Sequence, residues 1–307
     1  MLTSFFGKSK PLNGIGVAIF MMLFYVIANF GEWFLDFNLL IFFEKLFVLL
    51  AFLVSVYVLN FIAKKNELTR RSAYKILFFA VFTTSFFALL SSTQVIFANL
   101  CVLFAFRRIL SLRSKKIMQK KVFDATFWIC IASIFYFWSI LFLIVVYAGI
   151  LFYLPKIKNW LIPLVAFLAV FLLNLSFHLV VYDNIYGFSQ WYEPVNFDFS
   201  NYQELSLLVP LSLILAILIW TLGNYLRLLQ KASISLRPSL NLVLFSLIAS
   251  VAIAFFSPTK NGSELIFFFI PLSIIASTWF ERKRDKVFKE ILLAILILMP
   301  LVVPFLS

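Results

Sequence analysis

The sequence is poor in charge and in the residue types that build catalytic and metal centres. Charged side chains make up 13% of the 307 residues, and there are one histidine, two cysteines and eight glycines. One histidine is too few for a multi-histidine metal centre, and Cys101 and Cys130 lie in apolar runs without metal-ligand spacing. No GxGxxG, Walker, HExxH or CxxC motif occurs, which excludes most classes of soluble enzyme. We therefore expect no metal and no cofactor.

Long hydrophilic segments are also missing. No polar stretch exceeds about 25 residues, whereas an independent soluble domain needs at least about 50. The chain instead has 64% hydrophobic residues, 19% aromatic residues and a mean hydropathy of +1.04. Soluble domains are nearer half apolar and a quarter charged. The composition predicts a single integral membrane domain over residues 1–307, built as an all-α bundle of transmembrane helices.

The charge that is present is mostly positive, with a net charge of +13. Its densest block is the loop Arg107–Lys121, which carries seven cations and precedes a run at 122–154 whose only charge is Asp124. Cations that flank apolar spans are typical of cytoplasmic loops, because the Lys and Arg bias sets the orientation of a membrane protein. This positive-inside rule accounts for the charge. We predict the lipid bilayer as the partner, with membrane proteins as possible further partners, and no nucleic acid.

The apolar run at 122–154 is long enough to cross a membrane once or twice. If it turns near 135–139 and crosses twice, every lysine and arginine except Lys45 and Lys260 falls on one side. A single crossing would place the cations that follow it on the opposite side. The aromatic cluster Phe135–Trp138 also suits an interfacial turn. We therefore predict a short helical hairpin at 122–154, beside a similar one at 72–106.

These assignments predict about eleven spans, within a range of about 9–11, of which those in the two hairpins are short for a hydrocarbon core of about 30 Å and imply a thinned bilayer or an inserted hairpin. The N-terminus is expected inside and the C-terminus outside a bacterial inner membrane. The predicted spans cover residues 13–30, 39–62, 72–90, 95–106, two within 122–154, 159–181, 205–225, 238–256, 264–280 and 290–305.

Acids in the loops expected outside are the candidate catalytic residues. Glu32 and Asp36 lie in the first outer loop, and Asp183 opens the longest polar segment, 182–204. Carboxylates can act as general bases or metal ligands. No spacing among these three acids matches a known catalytic motif, so whether the chain is an enzyme stays open.

A candidate ligand pocket lies beside that polar segment. Asn174 and His178 are four residues apart and therefore share a helical face, and Trp191, Tyr192 and Glu193 follow in the segment. Aromatic rings can stack on a sugar. The structural alternative is that His and Asn bond across helices, while Trp and Tyr anchor the interface.

The basic loop offers a candidate site for anionic lipid headgroups at the cytoplasmic face. Such headgroups attract clustered cations by ~1 kcal/mol per charge. The alternative is that the loop only enforces topology. The predicted headgroup-binding residues are Arg107, Arg108, Arg113, Lys115 and Lys116.

Several segments resemble a family of polytopic inner-membrane proteins of Bacteroidota that has no assigned activity. The resemblance covers the full length and is strongest over Phe106–Phe142, with further support from Ser4–Pro11 and Lys64–Lys75. A looser similarity, in the short hairpins and in Glu264 and Pro271 after a late outer turn, is to GT-C-type membrane glycosyltransferases. That similarity implies chemistry on polyprenyl-linked sugars at the outer face.

Three hypotheses for function follow. The first is a non-catalytic subunit or scaffold in cell-envelope biogenesis, which fits the small loops and the absence of motifs. The second is a GT-C-like enzyme that uses Glu32, Asp36 or Asp183. The third is a transporter or lipid-handling protein that uses the region of Asn174 and His178.

Overall fold

The computed structural model describes residues 2–35, 38–185, 187–282 and 285–306. It is 82% helical, and the described residues contain no strand. The α-helices are α1 Leu2–Phe6, α2 Pro11–Ala28, α3 Leu39–Lys65, α4 Tyr74–Thr84, α5 Phe87–Ser91, α6 Thr93–Leu110, α7 Met118–Phe135, α8 Leu143–Tyr153, α9 Ile157–Trp160, α10 Ile162–Tyr182, α11 Phe188–Trp191, α12 Leu205–Lys231, α13 Arg237–Phe256, α14 Ile266–Phe280 and α15 Lys286–Val302.

Within the described ranges, eight helical segments are long and apolar enough to cross a membrane. They contain α2, α3, α6, α10, α12, α13, α14 and α15. The predicted class, an all-α membrane protein, is thus confirmed. α4 and the helical run Phe137–Tyr153 are apolar but shorter, and α7 carries Lys120, Lys121 and Asp124 among its 18 residues. The count of about eleven spans and the orientation stay predictions.

Two helices form the centre of the bundle. Every residue of α4 and every residue of α14 is buried. A helix that is hydrophobic on all sides belongs inside a protein. In contrast, α10 buries only Pro163, Ala166 and Val170 and exposes leucine, valine and phenylalanine side chains over the rest of its surface. Lipid tails solvate such a face as well as protein does, so α10 belongs at the periphery.

Both predicted hairpin regions, 72–106 and 122–154, contain broken helices. α4 ends at Thr84, and Phe86 is extended before α5 begins. The hydroxyls of Thr83, Thr84 and Ser85 each donate to a carbonyl four residues earlier, a bond that bends helices. α7 ends at Phe135 before the extended Tyr136 (φ −148°, ψ 104°).

The run at 122–154 doubles back on itself. It starts at the Arg107–Lys121 loop. At its middle, the Tyr136 hydroxyl lies 2.5 Å from Ser257 Oγ, in the turn that follows α13. Near its end, a Cβ placed on Gly149 would lie 3.0 Å from Ile109 Cγ2, beside the starting loop. The chain therefore reverses at Tyr136, and both ends of the run lie at the same end of the bundle.

Hydrogen bonds gather the cation-rich loops at one end, which we call the basic end. Arg113 donates to the Asn66 carbonyl (3.2 Å) and to Ser235 Oγ (3.3 Å), and the Arg70 amide donates to Glu281 (2.8 Å). These bonds join loops from four parts of the chain. Two more attach the N-terminal segment and the 156–159 segment to the same end: Ser9 to Arg71 (3.2 Å) and Gln119 to Asn159 (3.2 Å).

The two cations expected on the other side lie at the opposite end, which we call the acidic end. It contains the turn at 257–262 and the segment at 187–204, joined by the hydrogen bond from Asn196 to the Pro258 carbonyl (3.1 Å). Lys260 donates to the carbonyls of Ala254 (2.6 Å) and Phe255 (2.8 Å), at the C-terminus of α13. Helix C-termini carry partial negative charge, which stabilises a cation there.

Candidate functional site

A cavity of 490 Å³, here called the basic cavity, opens at the basic end where α3 and α6 finish and α7 begins. Five cations and one acid line it, so the cavity has a large excess of positive charge. Three serines add hydroxyl groups. The lining residues are Lys65, Asn66, Glu67, Arg107, Arg108, Leu110, Ser111, Arg113, Ser114, Lys121 and Ser235.

One aromatic ring holds two of the cations at the rim. The Arg107 guanidinium lies 5.1 Å and the Lys65 ammonium 5.2 Å from the centre of the Phe61 ring. The face of an aromatic ring attracts a cation without neutralising it. Lys65 ends α3 and Arg107 lies in the last turn of α6, so these two helices bring their C-terminal charges together.

Arg113 anchors the cavity wall. Besides Asn66 and Ser235, its guanidinium binds the Glu67 carboxylate at 3.1 Å, and it therefore links three loops. Arg108 pairs with Asp124 at 3.2 Å. Both ion pairs are partly exposed, so each contributes at most about 1 kcal/mol to stability. Their main effect is to fix where the positive groups lie.

Lys121, like Lys65 and Arg107, carries a charge that no ion pair in the described part of the chain compensates. Its ammonium donates to the Ser111 carbonyl and to Ser114 Oγ, both at 2.6 Å, and has no carboxylate partner among the residues that the structure describes. Burial lowers the pKa of Lys121, and the charges of Arg108 and Lys65 lower it further. Cations that repel one another in this way are stabilised by a bound anion.

Phosphate suits this arrangement better than a carboxylate does. A phosphate is tetrahedral and carries two non-bridging oxygens and one negative charge in a lipid phosphodiester, or three oxygens and up to two charges in a monoester. Arginine and lysine donors from several directions can share these oxygens, whereas the oxygens of a carboxylate lie in one plane. Serine hydroxyls can complete the shell. The cavity can therefore bind and orient a phosphate group. Glu67 is the one acid that lines the basic cavity, and because it is paired with Arg113 it is not available as a general base.

The structure brings together three of the five predicted headgroup-binding residues. Arg107, Arg108 and Arg113 line the basic cavity, whereas Lys115 and Lys116 are exposed and do not line it. Lys65 and Lys121 also line the cavity and were not predicted as members of the site. Both belong to basic segments that the sequence shows plainly, but Lys65 reaches the cavity only because α3 packs against α6, and Lys121 only because α7 packs against α6.

Glu32, a predicted catalytic acid, is engaged in an ion pair. It lies in the π-helical turn Gly31–Leu35 and binds the buried Lys45 ammonium at 2.9 Å. Asn29 Oδ1 accepts a second bond from Lys45 (2.9 Å), and the Tyr25 hydroxyl donates to the Lys45 carbonyl (3.2 Å). This cluster compensates a buried cation, and Glu32 retains 47% of its side-chain exposure.

The other two predicted catalytic acids are placed differently. Asp36 lies outside the described residues. Asp183 is the exposed residue that ends α10, with a left-handed backbone (φ 50°, ψ 29°). A cavity of 490 Å³ at the acidic end is lined by Glu204, Asn201 and Asn261 among others, and neither Glu32 nor Asp183 lines it.

The predicted ligand residues of α10 do not form a single cavity. Asn174 and Trp191 line a mostly apolar space of only 20 Å³, about the room needed for one water molecule. His178 is half-buried, with its ring 5.2 Å from that of Tyr182, and it does not line this space.

The predicted stacking aromatics pack against the protein. The ring of Phe137 lies 5.0 Å from Trp191 and 5.3 Å from Tyr192, and Trp191 donates to the Ser133 carbonyl at 2.9 Å. Burial raises the pKa of Glu193, whose Oε2 has no hydrogen-bond partner in the described part of the chain. Within that same part, no group of three or more metal-ligating side chains lies together.

Comparison with known proteins gives one match. The model of a family of unknown function, DUF6427, matches residues 15–306, nearly the whole chain. No curated protein and no solved structure matches the sequence. The match carries no activity, and the geometry is the only guide to one.

Proposed function

Because this chain belongs to DUF6427, a family of unknown function, we propose its role from its own geometry. We propose a multi-pass protein of the bacterial inner membrane that binds the phosphate of an anionic lipid headgroup in the basic cavity. It acts without catalysis, as a lipid-binding subunit or scaffold in cell-envelope biogenesis. The observation that carries this proposal is the convergence of five cations from separate helices on one cavity of headgroup size.

The distribution of charge supports the orientation in this proposal. With the basic end in the cytoplasm, the cavity faces the leaflet surface where anionic headgroups and positive loops meet. In this arrangement the two arms of the 122–154 run each cross the bilayer, as do α4 with α5, which gives eleven spans. The arms are short, so the bilayer thins around them or they pack inside the bundle.

A non-catalytic role fits what the acids do. Glu32 and Glu67 each bind a cation, at 2.9 Å and 3.1 Å respectively, and neither is positioned as a general base. A catalytic site instead brings groups with matched pKa values to one reacting atom. Glu32 and Asp183, the two predicted catalytic acids that the structure describes, line neither the basic cavity nor the cavity at the acidic end.

The test is lipid retention by the purified protein, measured by native mass spectrometry in mild detergent. The probes are phosphatidylglycerol, phosphatidylcholine with the same chains, and inorganic phosphate. We expect phosphatidylglycerol to be retained preferentially, and Lys65→Ala/Arg107→Ala to weaken its binding about 10- to 30-fold. Two cations at ~1 kcal/mol each correspond to that factor. Both residues are exposed, so the removal of their side chains should leave the fold intact.

The matched control is Lys115→Ala/Lys116→Ala, which removes the same charge from the same end but outside the cavity. It should change binding by less than about twofold. Equal losses in both double variants would show a diffuse surface attraction and contradict a built site. Binding of inorganic phosphate as tightly as lipid would identify the ligand as a free anion.

A further inference from the structure

A second cavity at the basic end lies apart from the cations of the basic cavity. It has a volume of 730 Å³ and opens between the 67–70 segment, the end of α12 and the end of α14. Arg70, Arg227, Lys231 and Arg282 line it, and none of these side chains has an ion-pair partner in the described part of the chain. The two cavities share only Glu67, which Arg113 binds.

The second cavity is lined by one other acid, Glu281, whose carboxylate accepts hydrogen bonds from the protein. Glu281 accepts from Ser72 Oγ (2.5 Å) and from the Arg70 amide (2.8 Å). Burial raises the pKa of Glu281, and these bonds oppose the rise. The carboxylate therefore fastens the 70–72 segment to α14, and its single negative charge leaves the four cations of this cavity in excess. Their charge is complementary to an anionic group.

An apolar groove lies between the same helices, one to two turns further into the bundle. Trp220 of α12, Trp279 of α14 and Phe288 of α15 line it, with ring centres 6.0 to 6.2 Å apart. Its volume is 160 Å³. A cavity of about 150 Å³ accepts a benzene molecule, so the groove holds about six carbons of a hydrocarbon chain. Trp220 and Phe288 are 59% and 49% exposed, and the groove is open to lipid.

The groove and the second cavity lie next to each other along two helices. On α12, Trp220 lines the groove and Arg227 lines the cavity, seven residues or about 10.5 Å further along the same helical face. On α14, Phe280 lines the groove and the adjacent Glu281 lines the cavity. A ligand with a charged head and an apolar tail can therefore occupy both at once.

We propose that α12, α14 and α15 form a binding site for one anionic phospholipid, with its phosphate headgroup among Arg70, Arg227, Lys231 and Arg282 and an acyl chain along Trp220 and Trp279. This site is separate from the basic cavity and does not depend on it. The second cavity is larger than a phosphate group needs. The Thr278 hydroxyl lines it and can hydrogen-bond to a headgroup that carries hydroxyls, such as glycerol.

The test counts bound phosphatidylglycerol per protein by native mass spectrometry of the full chain. We expect two molecules on the wild type and one on Ala216→Trp, because Ala216 is an exposed groove residue and a tryptophan there fills the groove. Leu215→Trp is the matched control, since Leu215 is exposed on the same helix and does not line the groove. It should retain two.

Combining variants separates this proposal from the previous one. Lys65→Ala/Arg107→Ala should lose the lipid of the basic cavity alone, and adding Ala216→Trp should remove the second lipid. If Ala216→Trp retains as many lipids as Leu215→Trp, the groove site is wrong whatever the basic cavity does. If phosphatidylcholine is retained at this site as well as phosphatidylglycerol, the proposal is also wrong, because the four cations would then not select an anionic headgroup.

A second measurement, quenching of tryptophan emission, needs no tryptophan introduced into the groove. Phosphatidylglycerol brominated on its chains should quench tryptophan emission in the wild type, and less in Trp220→Phe. Arg227→Ala/Lys231→Ala should reduce this quenching at least threefold at limiting lipid, while brominated phosphatidylcholine should quench weakly throughout. Unchanged quenching in the double variant would contradict a headgroup held by these cations.

Discussion

The ion pair of Lys45 and Glu32 shows how one residue can determine whether a buried charge is tolerated. The Lys45 side chain is 7% exposed and has two charge-compensating contacts, from Glu32 and Asn29. The acid next to Lys45 in the sequence is Glu44, but the structure pairs Lys45 with Glu32 across the first connection. Removing one partner of a buried pair costs more than the pair contributes, because the remaining charge stays buried.

We therefore expect Glu32→Ala to destabilise the protein by about 1–3 kcal/mol, less than for a fully buried pair because Glu32 is half exposed. The measurement is thermal unfolding in detergent. Glu44→Ala is the control, because Glu44 is exposed and lies next to the same lysine. A Glu32→Ala protein of wild-type stability that nonetheless fails to complement a deletion would contradict the structural role and favour a catalytic one.

At the scale of elements, the break between α4 and α5 depends on a glycine from a distant turn. Gly262 has φ +88°, and a Cβ there would lie 2.6 Å from Phe86 Cδ1 and 3.2 Å from Leu207 Cδ2. Phe86 is the extended residue at the break. We expect Gly262→Ala to cost about 2 kcal/mol or more, from the left-handed backbone and from the contact with the Phe86 ring.

Gly223→Ala is the comparison that isolates this effect. Gly223 lies inside α12 with no atom within 4 Å of an added Cβ, so alanine should stabilise the helix by about 0.5–1 kcal/mol. Opposite signs for the two substitutions are expected in thermal unfolding. A Gly262→Ala protein as stable as the wild type would show that Phe86 moves freely, and the break would then not be fixed by this turn.

The elements also show which parts of the fold the sequence can predict. The end of α7 at Phe135 lies at the predicted turn, because the aromatic cluster there is a local signal and the cations of the whole chain can be counted on the sequence. The break at Ser85 was missed within the predicted span 72–90, since its only local sign is three consecutive hydroxyl residues. α6 runs to Leu110, beyond the predicted end at residue 106, because Arg107 can extend along the helix towards water.

The residues of the basic cavity could likewise be predicted only in part from the sequence. Arg107, Arg108 and Arg113 are close in sequence, so the cluster is visible without a structure. Lys65 joins them only because α3 packs against α6 and both cations meet at Phe61. No periodicity or spacing in the sequence predicts that these two cations contact the same ring. Residues from separate segments converge through tertiary packing, and a single sequence carries no signal for it.

At the scale of the whole molecule, the partition of charge sets how the protein lies in the membrane. The cation-rich loops share one end through hydrogen bonds between loops, as at Arg113 and Glu281. Lys45 and Lys260 lie at the other end, each held by carboxylate or carbonyl oxygens. Because a positive end resists transfer across the membrane, the basic end should remain in the cytoplasm.

Single introduced cysteines test this arrangement. Cys101 and Cys130 are buried at 8% and 2% exposure, so the background of labelling is low. In spheroplasts, a membrane-impermeant maleimide should label Ser200→Cys at once, and Lys116→Cys and Lys158→Cys only after permeabilisation. Lys158 decides between one and two crossings of the 122–154 run, since a single crossing would make Lys158→Cys accessible in intact spheroplasts and would protect Ser200→Cys, which lies beyond α10. Labelling of Lys116→Cys in intact spheroplasts would invert the whole map, and the basic cavity would then face away from the cytoplasmic leaflet whose anionic lipids it is proposed to bind.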